Sequence, residues 1–156
     1  MQRLVAFLLF FISAPIYADQ VICQGHLRNK TIDADLLITQ KCILDNAKIL
    51  GNIELQDHAS LILKRSQVNG NIQTNAYFSG LHIEETAIDG NIHIRSGREL
   101  KLIKNQVTGT INIQNNIGNI LLKNNHSQIL NCVHNRILPQ GMQNQANQKL
   151  EQCRDL

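Results

Sequence analysis

The sequence predicts an all-β chain wound as a short-coil parallel β-helix, a single-stranded solenoid of five to six coils with a short C-terminal cap. Three observations lead there. Gly51-Asn52-Ile53 recurs as Gly70-Asn71-Ile72, Gly90-Asn91-Ile92 and Gly109-Thr110-Ile111, at spacings of 19, 20 and 19 residues. Two further apolar columns repeat in step with it. Within each period apolar residues alternate as in strands, and no period holds a helical stripe that would suit leucine-rich, ankyrin or tetratricopeptide arrays.

Residues 1–18 read as a signal peptide. Arg3 precedes the apolar run Leu4 to Ile12, and Ala14-Pro15-Ile16-Tyr17-Ala18 supplies a cleavage point that leaves Asp19 as the mature N-terminus. The competing reading is a buried N-terminal helix. The run is too short to span a bilayer, which takes ~20 residues. An exported chain, periplasmic or extracellular, is therefore expected.

Residues 19–135 form the β-helix domain. Ala34-Asp35-Leu36 is a degenerate first copy of the triplet, 17 residues before Gly51. The second column runs through Cys42-x-Leu44, Leu61-x-Leu63, Leu81-x-Ile83, Leu100-x-Leu102 and Ile120-x-Leu122. The third reads Ile32, Ile49, Val68, Ile88 and Val107. Stacked at the ~4.8 Å strand spacing, coils place like side chains over like and bury all three columns. The crossover preference of parallel strands makes the coil right-handed. Gly51, Gly70, Gly90 and Gly109 are expected to supply backbone freedom at one corner, with Asn52, Asn71 and Asn91 as a side-chain ladder beside them.

Residues 136–156 form the capping segment. Pro139 and Gly141 mark a turn, and a short helix over Gln143–Leu150 is expected to present Met142, Ala146 and Leu150 to the last coil. Capped ends would limit end-to-end self-association.

Four cysteines in an exported chain favour two disulfides, and no C-x-x-C pair suggests zinc. Cys23 and Cys42 lie one coil apart near one end, while Cys132 and Cys153 lie near the other. A bridge between ends would span several coils at ~4.8 Å each, beyond the ~7 Å Cα limit. Cys23–Cys42 and Cys132–Cys153 are the expected pairs. Asn29-Lys30-Thr31 and Asn125-His126-Ser127 match the N-glycosylation pattern, which an Asn-rich chain also produces by chance.

Composition narrows the chemistry. The net charge of +3 and the lack of a basic stripe argue against nucleic acid. Asp57-His58 reads as a corner turn, without a nucleophile in its column. His82 and Glu84 share one outer face, with His93 on another column, so a two-ligand metal site is outweighed by a charged surface. Arg65, Glu85 and Lys104 are expected to stack as an inter-coil charge ladder. No cofactor is called for.

The repeated G-N-[IV]-x-[VIL] turns resemble those of small exported bacterial parallel β-helix proteins of unknown function. The segment Asn124 to Asn135 is similar to their terminal pattern, N-T-[IV]-G-G-N-L-Q-C-x-x-N, through Asn124, Leu130, Cys132 and Asn135. Ser127 and Gln128 replace its paired glycines, and Cys153 stands where a later partner cysteine is usual. The resemblance covers most of residues 30 to 153 and implies fold and export but no activity. A looser likeness is to the bactofilins, which are also short-coil β-helices.

The expected function is an exported, non-enzymatic structural or binding module presenting a rigid surface to an envelope protein or a polysaccharide. The alternative is a small carbohydrate-active enzyme, which rests on analogy with larger β-helices. Tyr77 and Phe78 are the only aromatic residues after position 18. They fall in the longest period, so either a ring bulges outward as a partner contact or Phe78 is buried in the coil.

Overall fold

A computed structural model describes residues 19–75 and 77–156. The signal peptide expected over 1–18 lies outside the described residues. The chain winds as a parallel β-solenoid of about seven turns, slightly more than the five to six expected, and there is no helix among the described residues. The extra count comes from the two ends. Gln20–Arg28 forms a first coil beneath Asp35–Asp45, and the C-terminal segment adds strands beyond Cys132.

Each coil contributes up to three strands, one to each face. The first face stacks Ile53–Leu55, Ile72–Thr74, Ile92–Arg95, Thr110–Gln114 and the second half of His126–Val133. The second stacks Ser60–Lys64, Gly80–Glu84, Glu99–Ile103, Asn119–Lys123 and Gln140–Met142. The third is made of two-residue strands, Thr31–Ile32, Lys48–Ile49, Gln67–Val68, Ala87–Ile88 and Gln106–Val107. Every pairing is parallel, with a register shift between Cys23 and Gly25 in the first coil, and on the first face Ile53 lies over Ile72, Ile72 over Ile92 and Ile92 over Ile111.

The three sequence columns fill the interior. Ile53, Ile72, Ile92 and Ile111 are fully buried, as are Leu44, Leu63, Ile83, Leu102 and Leu122 opposite them. At the ends the core tapers to glycine. Gly25 pairs with Cys42, and Gly141 pairs with Leu122, whose carbonyl oxygen would lie 1.8 Å from an added Cβ. The Cys23–Cys42 and Cys132–Cys153 disulfides lie in these end regions, with Cα separations of 5.9 and 5.2 Å and all four cysteines buried.

The glycines work differently from the expectation. None of Gly51, Gly70, Gly90 or Gly109 has a positive φ. They are needed for close approach: a Cβ on Gly70 or on Gly90 would lie 2.6 Å from the Oδ1 of the asparagine one coil before, and equally close to a backbone carbonyl oxygen. The other two corners turn instead on single non-glycine residues in the left-handed region. Asn29, Asn46, Arg65, Glu85, Lys104, Asn124 and Gln143 turn one corner, while His58, Ser96, Asn115 and His134 turn the other, with φ between 47° and 62°.

The helix expected over Gln143–Leu150 is a strand, Gln145–Glu151, paired in parallel with His126–Val133. A preformed strand edge supplies backbone partners that a lone polar helix of two turns would lack. Residues 136–156 thus extend the stack before the turn that carries Cys153.

Candidate functional site

Side-chain ladders stiffen the corners on which any surface site stands. Asn71 donates its backbone N–H (2.9 Å) and its Nδ2 (3.1 Å) to Asn52 Oδ1, and Asn91 does the same to Asn71. The series starts at Asp35 Oδ1, which accepts both donors of Asn52, and ends where Thr110 N–H donates to Asn91 Oδ1.

Two more ladders are not apparent in the sequence. Ser66, Thr86, Asn105, Asn125 and Asn144 stack at the second corner, all buried. Each hydroxyl or amide oxygen accepts from the backbone N–H one coil before. Asn105, Asn125 and Asn144 also donate Nδ2 to the carbonyls of Ile83, Leu102 and Leu122. Asn125, one of the two glycosylation matches, is therefore held inside, whereas Asn29 is exposed. At the remaining corner Asn116 accepts from Gly97 N–H, Asn135 from Asn116 and Gln152 from Asn135.

The corner between the first and second faces carries the two aromatic residues. Phe78 is fully buried and stands in the inward column between Ala59 and Gly97. A Cβ on Gly97 would lie 1.8 Å from Phe78 Cζ, so the large ring is accommodated by the missing side chain above it. With Phe78 inside, Tyr77 is turned out and is 59% exposed. Beside it lies a hollow of about 350 Å³ lined by His58, Tyr77, Ser79, Arg98 and Ile117. Its rim is fixed by His58 N–H donating to the Tyr77 carbonyl (3.0 Å) and Ser79 Oγ donating to the His58 carbonyl (2.9 Å). Ser79, Arg98, Ile117 and Arg136 recur every 19 residues and stack on one column through backbone hydrogen bonds. Arg98 and Arg136 form no ion pair among the described residues.

The second face carries the charges. Lys64 pairs with Glu84 at 2.9 Å, Lys104 with Glu85 at 3.1 Å and Lys101 with Glu99 at 2.7 Å. The expected Arg65–Glu85–Lys104 stack forms only in its upper half. Arg65 turns instead to Asp45, which also meets Arg28 at 3.3 Å. Asp45 is nearly buried while Glu85 is exposed, so Arg65 gains more by pairing with the Asp45 carboxylate, which needs its charge compensated.

His82 Nε2 lies 3.3 Å from Glu84 Oε2 without hydrogen-bond geometry. Burial, and then the Lys64 charge, hold its pKa below the usual histidine value. The Lys64 hydrogen bond holds the Glu84 carboxyl below its own usual range. His82 is thus neutral at pH 7, and the pair is a polar contact within a charged surface. His93 stands on the first face, in the Gln73–Asn112 column, and does not join it. Asp57-His58 forms a turn.

No group of three or more metal-binding side chains clusters among the described residues, and no helix there is long and apolar enough to cross a membrane. Comparison of the chain with family models, curated proteins and solved structures gives no match.

Proposed function

We propose that the chain is an exported, non-enzymatic module that presents a rigid β-helix surface in the cell envelope, akin to the small exported bacterial β-helix proteins its turns resemble. The observation that carries this reading is the filled interior. Stacked aliphatic columns occupy it between two buried disulfides, one near each end. Disulfides persist in oxidising compartments, which supports export. A packed core leaves the outer faces as what such a molecule offers to a partner, an envelope protein or a polysaccharide.

The test has two parts. The full chain is expressed in a bacterial host with a periplasm, and the product's compartment, N-terminus and disulfides are determined by fractionation and mass mapping. The reading expects Asp19 at the N-terminus and both bridges closed outside the cytoplasm. Retention in the cytoplasm with free thiols contradicts it. The exported protein is then incubated with a polysaccharide panel while reducing ends are followed. Turnover of any member overturns the non-enzymatic reading in favour of a carbohydrate-active enzyme.

A further inference from the structure

We propose that the Tyr77 corner is a subsite for an acidic polysaccharide, with a sugar ring against Tyr77 and its carboxylate on Arg98. This deepens the surface-presenting role and rests on that reading. The hollow of about 350 Å³ is large enough for a compact ligand group. Its walls combine an exposed aromatic face with Ile117, itself 41% exposed, and these suit the apolar face of a sugar ring. Ser79 Oγ keeps acceptor capacity after donating to the His58 carbonyl, so a sugar hydroxyl can donate to it.

Charge fixes the class further. Arg98 is exposed and unpaired among the described residues, and a guanidinium fork matches a carboxylate in bidentate fashion. The nearest acid in sequence, Glu99, is already engaged by Lys101 at 2.7 Å. Asp57 is the other acid of this corner, and it precedes His58 in the turn. Arg136 stands two coils beyond Arg98 on the same column, about 9.6 Å along the axis. A linear polymer lying along the corner therefore meets a second cation, which a single sugar would not reach. Phe78 locks the backbone beneath Tyr77, so the ring is presented from a rigid support.

Binding of oligogalacturonate to the exported, disulfide-closed protein tests this, with the fully methyl-esterified oligomer as the uncharged control. The acid octamer is expected to bind at least about tenfold more tightly than its ester, and the preference should shrink with added salt. Tyr77→Ala and Arg98→Gln should each weaken octamer binding by about tenfold, while Tyr77→Phe retains it. Arg136→Gln should weaken the octamer and leave the dimer unchanged. All of these changes are at the surface, and far-UV circular dichroism confirms the fold of each variant. Equal binding of acid and ester, or indifference to both Tyr77→Ala and Arg98→Gln, overturns the subsite. So does absence of binding by a correctly exported and bridged protein, a result that leaves the surface-presenting role standing. Binding of the Tyr77 corner to a protein partner alone also overturns it.

Discussion

Replacing Gly70 by alanine separates close packing from backbone freedom as the reason for the repeated glycines. An added Cβ would lie 2.6 Å from Asn52 Oδ1, 2.6 Å from the Gly51 carbonyl oxygen and 2.8 Å from its carbon. Two of those atoms are backbone and cannot rotate away. The side-chain oxygen is fixed as well, because it accepts from both Asn71 N–H and Asn71 Nδ2. The coils must separate locally, at an overpacking cost of about 2–3 kcal/mol. Gly80 is the internal control: it lies on a strand of the second face, has no positive φ and has nothing within 4 Å of an added methyl. Gly80→Ala should be neutral or stabilise by about 0.4–1 kcal/mol, because alanine restricts the unfolded chain. Urea unfolding followed by far-UV circular dichroism, with disulfides intact, gives both values from midpoint and slope. Equal effects at the two positions would refute close approach as the role of the triplet glycines.

Three further outcomes follow from the same geometry. Asn105→Ala removes bonds to Ile83 O and Asn125 Oδ1 and leaves the buried Thr86 N–H without its acceptor, so it should cost about 3 kcal/mol in urea unfolding. A loss under about 1 kcal/mol would mean that the buried ladder is not formed. The double change Cys132→Ser and Cys153→Ser opens a loop with a sequence separation of 21 residues and should lower stability by about 3 kcal/mol. Measured unfolding of the variant against the bridged protein decides it. The lowered pKa values of His82 and Glu84 both make acid destabilising. The unfolded chain binds the His82 proton first as pH falls below 6.5, and the Glu84 contribution is lost below 4.5 as pH passes its folded value. Denaturation midpoints at about pH 5 and about pH 7.5 should differ, and His82→Gln should reduce that difference. An unchanged difference would contradict a neutral, partly buried His82.

Much of the architecture was legible because the triplets repeat in type as well as in spacing. Ile53, Ile72, Ile92 and Ile111 keep both the residue class and the period, and the interior demands this because each coil buries the one before it. The second ladder keeps the same period, with steps of 20, 19, 20 and 19, but passes from Ser66 through Thr86 to Asn105. Any side-chain oxygen of the right reach serves there, so the residue type drifts and the column does not stand out. The Arg98 column is obscured similarly, since outward positions carry no packing constraint. The C-terminal strand resembles a helix in sequence because Met142, Ala146 and Leu150 follow a helical spacing. Asn144 and Gln152, which end two ladders on either side of that strand, are the signal for it.

The central claim is that successive coils stack in register, with each triplet asparagine bonded to the one before it. The most direct measurement is nuclear magnetic resonance of the 15N-labelled, disulfide-closed protein, observing the side-chain amides of Asn52, Asn71 and Asn91. The geometry predicts slow solvent exchange for these groups, and nuclear Overhauser contacts from Asn71 Nδ2 protons to Asn52 and from Asn91 Nδ2 protons to Asn71. Rapidly exchanging side-chain amides without contacts 19 or 20 residues away would contradict the stack.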